Sequence, residues 1–308
     1  MGPLKILYAG IHFNPELPKS TIFLRFLKEG DSIVEKPEDA NVVIISDTIT
    51  TEEISILQEK FNGCTIQYIA EPIVNMTLLA SEFNIARQLY LKKICNIIIG
   101  CVCNDFTHQL IKYPLYAYDR EMLEQETFNE VNTMVSLSTP IEKEFCALVN
   151  RHDWGDTRII MYKKIKDYGH IVCPGKLLNN CSNEEINTIG NKEYFKKFRF
   201  VICSENFGND HPGYITEKLM NVCLGGAIPI YCGALDEVDE KIFNKGRILF
   251  YDKLTVDTIA EKIGELNSDE NKLNEFYKQP VFMPEAANEI RKMNTNMYNL
   301  FENIRRLV

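Results

Sequence analysis

Two Rossmann-like α/β halves, each built on a parallel sheet, are what this sequence predicts. Short apolar runs alternate with stretches of helical spacing, which is the rhythm of βα units. The runs are apolar nearly throughout instead of alternating, as strands buried on both faces require. The series also pauses near the middle of 308 residues and then starts again, and that length suits two domains, each with its own core.

In chain order, Leu4–Ala9 reads as a buried first strand and Ser20–Gly30 as a helix with a terminal glycine. Asn41–Ser46 is a second strand, followed by an amphipathic helix, TTEEISILQEKF, with acids in its first turn where the helix dipole favours them. Cys64–Ala70 is a third strand, Asn75–Lys93 a helix and Cys95–Val102 a fourth strand. Tyr113–Tyr118 breaks the rhythm, and Asp119–Ser138 is polar with no clear partner. A linker near Leu137–Glu142 therefore divides an N-terminal domain, 1–140, from a second one, 141–283. The second series runs through strand Glu144–Val149, helix Thr157–Tyr168, strand His170–Cys173 and a helix around Glu184–Phe198. Arg247–Tyr251 is the last strand, the tail from Thr255 is helical by pattern, and 284–308 forms a terminal amphipathic helix.

Composition removes several function classes. The net charge of −9 leaves no basic footprint for nucleic acid or an anionic membrane, so an anionic ligand must be held locally. Ten cysteines without a CxxC pair, mostly inside apolar runs, read as buried free thiols in a reducing compartment. MGPLKILYAG lacks the charged region and long apolar core of a leader, and no window is long and apolar enough to span a membrane, so a cytoplasmic location is expected. GxGxxG, GxxxxGK[ST] and GxSxG are all absent, which argues against a dinucleotide dehydrogenase, a P-loop NTPase and a serine hydrolase. Asp236, Glu237, Asp239 and Glu240 read as the solvated start of a surface helix, and five histidines show no ligand spacing, so no metal site is expected.

The stretch Lys197–Gly233 organises the rest: an apolar strand, a Gly/Pro/Asn loop, a helix opening at Gly213–Tyr214 and a second apolar strand. A loop that delivers the chain to a helix N-terminus presents backbone N–H groups and a positive dipole end to phosphate. Tyr214, Glu217 and Lys218 in the first turn add a ring, a carboxylate for hydroxyls and an ammonium for phosphate, a set suited to a ribose diphosphate. Taken singly, Glu217 and Lys218 also read as an exposed helix pair, and Tyr214 as a core residue.

The same stretch resembles the signature of glycosyltransferase family ten, the α1,3/α1,4-fucosyltransferases. The family pattern F-x-x-x-F-E-N, a loop, Y-[IV]-T-E-K, a helix and A-[IV]-P-[IV] ending in Gly has counterparts in each of its parts. Phe198, Phe200, Glu205 and Asn206 stand in its first part, Tyr214 to Lys218 in its second, and Ala227 to Ile230 with Gly233 in its last. Upstream, KEFCALVNRHDWGDTRIIMYKKI is similar to the family's strand–Asn–loop–Arg–helix and maps onto Asn150 and Arg158. CPGKLLNN is similar to its Gly-rich turn, with Gly175 and Lys176 in place, and IQYIAEP sits where the family carries its catalytic glutamate, here Glu71. Ser204 stands where the family has an aromatic residue, and Pro72 where an Asn is common.

The resemblance implies a GT-B fold whose two sheets face an interdomain cleft. It implies an inverting, metal-independent transfer from a GDP-sugar, GDP-fucose first, onto a hydroxyl of a saccharide acceptor, with no cofactor required. Glu71 would be the base. Asn150, Arg158, Lys176, Glu205, Asn206, Tyr214, Glu217 and Lys218 would bind the donor. A different nucleotide-sugar, or a silent sugar-nucleotide-binding protein that has lost its base, are the alternatives. Acceptor identity and oligomeric state are not encoded in any motif.

Overall fold

The computed structural model describes residues 2–10, 23–46, 49–69, 95–100, 110–118, 124–206 and 208–308. The chain divides into two compact units, Met1–Tyr118 with Arg291–Val308, and Asp119–Ile290.

In the first unit, β1 (Lys5–Ala9), β2 (Ser32–Ile33), β3 (Val42–Ser46), β4 (Cys64–Ile69), β5 (Ile97–Gly100) and β6 (Leu110–Lys112) form one sheet. Every pairing is parallel, in the order β2-β1-β3-β4-β5-β6. All five residues of β3 are buried, the condition that produces an unbroken apolar run. Between β3 and β4, α1 (Thr51–Lys60) opens on a capping box. The Thr50 amide donates to the Glu53 carboxylate at 2.7 Å, and the Glu53 amide donates to the Thr50 hydroxyl at 3.2 Å. The last helix, α8 (Ala286–Leu307), joins this unit from Arg291 onward. There Phe301 stacks on Phe26 with centroids 5.5 Å apart, and the buried Arg305 donates to the Phe26 carbonyl at 2.9 Å and pairs with Asp31.

The second unit contains α2 (Gln125–Leu137), β7 (Glu144–Leu148), α3 (Thr157–Ile165), β8 (Ile171–Val172), α4 (Glu184–Phe195) and β9 (Phe198–Ile202). It continues through α5 (Glu217–Leu224), β10 (Ile228–Tyr231), β11 (Leu249–Phe250), α6 (Val256–Ser268) and α7 (Glu270–Tyr277). Its parallel sheet runs β11-β10-β9-β7-β8. The chain places β8 on one side of β7 and then returns to place β9 on the other. Strand order therefore reverses between β7 and β9, and in open α/β sheets ligands bind beyond the carboxyl ends of the strands at such a reversal. The register pairs Leu148 with Ile202, so Val149–His152 and Cys203–Asn206 leave the sheet side by side.

Several elements depart from the sequence reading. The polar 119–138 stretch holds α2, whose Phe128, Val131 and Val135 are buried. The Asn132 side chain accepts from the Val281 and Phe282 amides at 2.8 and 3.0 Å, tying α2 to the second unit. The division accordingly falls at Tyr118/Asp119, before α2, and not near 140. Only a 3-10 turn, Leu24–Phe26, stands in the described part of the expected Ser20–Gly30 helix, because Leu27 turns extended. The expected Asn75–Lys93 helix lies outside the described residues. Strand β6 was not anticipated. The acids of Asp236–Glu240 lead into a short 3-10 turn, Asp239–Lys241, and not into a longer surface helix: Asp239 is buried, and Asp236 accepts the Val238 and Asp239 amides at 2.9 and 3.0 Å. Among the described residues, no helix is long and apolar enough to cross a membrane.

Candidate active site

The loop after β7 is shaped from behind by the CPGKLLNN turn. A Cβ on Gly175 would lie 2.3 Å from the Asn150 carbonyl oxygen, so only glycine permits this approach. The Leu177 amide donates to the same oxygen at 3.0 Å. Asn180 pins the turn by accepting from the Cys173 amide and donating to the Ile171 carbonyl, both at 2.8 Å. The turn thus fixes Asn150, while Lys176 is exposed and does not line the cavity described below.

Arg158, in the first turn of α3, is fully buried. Its guanidinium donates to the His152 carbonyl at 2.9 Å, the Ser204 carbonyl at 2.6 Å and the Asn206 side-chain oxygen at 3.1 Å. It therefore ties the β7 loop to the β9 loop and aims Asn206. Its own helix start is offset by Asp153, whose carboxylate accepts the Arg158 and Ile159 amides at 3.1 and 2.8 Å. Ser204 meets the Tyr251 hydroxyl at 2.5 Å, and Tyr251 donates to the Thr157 carbonyl at 3.2 Å. A ring from the end of β11 thereby backs the position where the family carries an aromatic residue.

Glu205 is likewise fully buried, at the carboxyl end of β9. Its carboxylate accepts from the Thr216 amide at 2.9 Å, the Thr216 hydroxyl at 2.8 Å, the Lys218 ammonium at 3.2 Å and the Tyr231 hydroxyl at 3.2 Å. Burial, reinforced by Glu205, pushes the Tyr231 phenol far up, so it stays a donor. Thr216 is the N-cap of α5, accepting from the Lys218 amide at 3.3 Å. The helix consequently opens at Glu217 and not at Gly213–Tyr214, and Tyr214 is a fully buried residue preceding the cap. Burial works against the Lys218 charge, but the Glu205 and Glu217 carboxylates outweigh it and raise the Lys218 pKa above its ordinary value.

A cavity of about 540 Å³ opens at the β7/β9 reversal. Asn150, Asn206, Glu217 and Lys218 line it together, as the motif implies. Arg158, Glu205 and Tyr214 do not line it; the first two brace the groups that do. Four lining polar residues were missed: Arg151, His152, Asn191 and Asn221. Arg151 and His152 follow Asn150 directly, and Asn221 lies one helical turn beyond Glu217, so adjacency and spacing could have found three of them. Burial, then the nearby Arg158 charge, holds the His152 imidazole below its ordinary pKa. Glu71 lies outside the described residues.

The chain matches the family model "Glycosyltransferase family 10 (fucosyltransferase) C-term" over residues 140–301, more than half its length. It belongs to glycosyltransferase family 10. The matched segment contains both strands at the reversal and the whole cavity lining. The chain is 25% identical over 150 residues to a mimivirus protein (Acanthamoeba polyphaga mimivirus) named as a candidate fucosyltransferase, covering 46% of this chain and 24% of that one. It is 23% identical over 208 residues to the alpha-(1,3)-fucosyltransferase FucT of Helicobacter pylori, covering 58% of this chain and 42% of that one. It thus matches less than half the length of these curated relatives. A crystal structure of an alpha1,3-fucosyltransferase superimposes with a TM-score of 0.66 at 18% identity, over 97% of this chain and 90% of that one. A crystal structure of an alpha1,3-fucosyltransferase with GDP-fucose gives 0.64 at 17% identity, over 96% of this chain and 90% of that one. These likenesses establish for this family 10 chain the GT-B class of fold, with two parallel-sheet α/β units.

Proposed function

We propose that the chain is a glycosyltransferase that takes L-fucose from GDP-fucose and passes it, with inversion, to a hydroxyl of a saccharide acceptor. The observation that carries this reading is the cavity at the β7/β9 reversal, lined by the family's Asn206, Glu217 and Lys218 around the start of α5. Lys218 and the first amides of α5 face the donor diphosphate, and Arg158 adds its charge from behind. Glu217, exposed at the helix start, binds ribose hydroxyls, and Asn206 orients the diphosphate. Stabilising the charge that builds on the departing GDP is the larger catalytic term in such sites. Because cationic side chains supply it, transfer needs no divalent ion.

Glu71, assigned by the family resemblance, takes the proton from the acceptor hydroxyl as that oxygen attacks the anomeric carbon. Such assistance contributes roughly 10²–10⁴-fold. The test is transfer from GDP-fucose to a panel of saccharides in EDTA. The wild-type chain transfers fucose with the metal chelated, and Glu71→Ala keeps GDP binding while losing transfer. Transfer that stops in EDTA would remove the metal-free step, and near-full activity of Glu71→Ala would require another base.

A further inference from the structure

The polar groups of the cavity divide into those already bonded within the protein and those left free to meet a ligand. Asn206 and Lys218, bonded to Arg158 and Glu205 behind the cavity wall, belong to the first set. The side-chain amides of Asn191 and Asn221 belong to the second: both line the cavity, and neither makes a hydrogen bond among the described residues.

Their positions are specific. Asn221 is four residues beyond Glu217 and three beyond Lys218, on the same face of α5, which places it about 6 Å further along the helix axis. Asn191 comes from α4, where Gly190 interrupts the helix with φ 79° and ψ 166° immediately before it. The backbone there is one that side-chain-bearing residues rarely adopt, so the break that re-aims the helix at Asn191 depends on glycine. Phe195, Val201, Ile202, Cys203 and Val222 belong to the same lining. Apolar groups in one cavity with two uncommitted amides suit a flat heterocycle whose rim carries hydrogen-bonding groups, since each amide offers both donors and an acceptor.

With the diphosphate at Lys218 and the ribose at Glu217, the base extends away from the helix start, toward Asn221. We infer that Asn191 and Asn221 read the rim of the donor's nucleobase and determine which nucleotide the site accepts. The inference rests on the donor-site reading above. A base whose rim matches the amides gains hydrogen bonds that a mismatched base does not, and this difference sets the preference.

Calorimetric titration of GDP, ADP, UDP and inorganic pyrophosphate into the full chain tests it, with wild type, Asn191→Ala, Asn221→Ala and the closer-sized Asn221→Ser. Wild type prefers one base. Each alanine variant loses about five- to tenfold in affinity for that nucleotide. It narrows the preference over the other two and leaves pyrophosphate affinity unchanged. Equal losses for all three nucleotides, no loss, or a parallel loss for pyrophosphate would overturn the assignment. Wild type that binds all three bases alike would overturn it too, while the donor-site reading stands. Wild type that binds no nucleotide would overturn both.

Discussion

Lys218 places its ammonium 3.2 Å from the Glu205 carboxylate, so the one ammonium lining the cavity among the described residues is anchored to a fully buried acid. Glu205 accepts four hydrogen bonds in all and joins the end of β9 to the cap of α5. A glutamine there keeps the shape but turns an NH₂ group toward donors. Glu205→Gln should cost about 2 kcal/mol. That corresponds to a melting temperature lower by roughly 4–8 °C in a calorimetric scan. Removing the carboxylate also removes the larger of the two carboxylate contributions that raise the Lys218 pKa, leaving that of Glu217. GDP affinity in Glu205→Gln should therefore begin to fall at a lower alkaline pH than in wild type, and coincident pH profiles would contradict this role for Glu205.

Gly175 acts through Asn150. A Cβ there would sit 2.3 Å from the Asn150 carbonyl and 2.8 Å from its amide nitrogen, both backbone atoms that cannot swing aside. Gly175→Ala should displace the β7 loop and weaken GDP binding by about tenfold, an effect of roughly 1.4 kcal/mol. Lys176→Ala should leave affinity unchanged, because that side chain is exposed outside the cavity. Calorimetry on the two variants side by side checks both statements.

The first unit carries a pH-sensitive anchor. Burial opposes ionisation of Asp31, but Arg305 and the Lys28 and Leu4 amides outweigh it and hold its pKa below the ordinary 3.8. A depressed acid stabilises the fold above its unfolded pKa and loses that contribution as pH falls through the folded value. Asp31→Asn should thus destabilise the protein by about 3 kcal/mol at pH 7. The gap should close only below about pH 4. Denaturant unfolding of wild type and variant at pH 7, 5 and 3 measures it.

The parallel sheets were legible because strands covered on both faces must be apolar nearly throughout, as β5 and β10 are. Helix α2 was not, since Phe128, Val131 and Val135 sit among polar residues and their burial depends on partners such as Phe282, distant in sequence. In the site, Asn206, Glu217 and Lys218 followed from the motif. The burial of Arg158 and Glu205 did not, because a charged residue in a motif reads as a ligand contact until its partners are seen. Here those partners are two carbonyls and a side-chain amide for Arg158, and Thr216, Lys218 and Tyr231 for Glu205. The opening of α5 was displaced for the same reason: Thr216 caps it only because Glu205 holds the threonine in place.

The most direct measurement is calorimetric titration of GDP into wild type and Lys218→Ala, at a temperature well below the melting point of both. A diphosphate held by the Lys218 ammonium makes the variant about ten- to a hundredfold weaker, the worth of a hydrogen bond to a charged group. Equal affinity in the two proteins would contradict placement of the donor diphosphate at the start of α5.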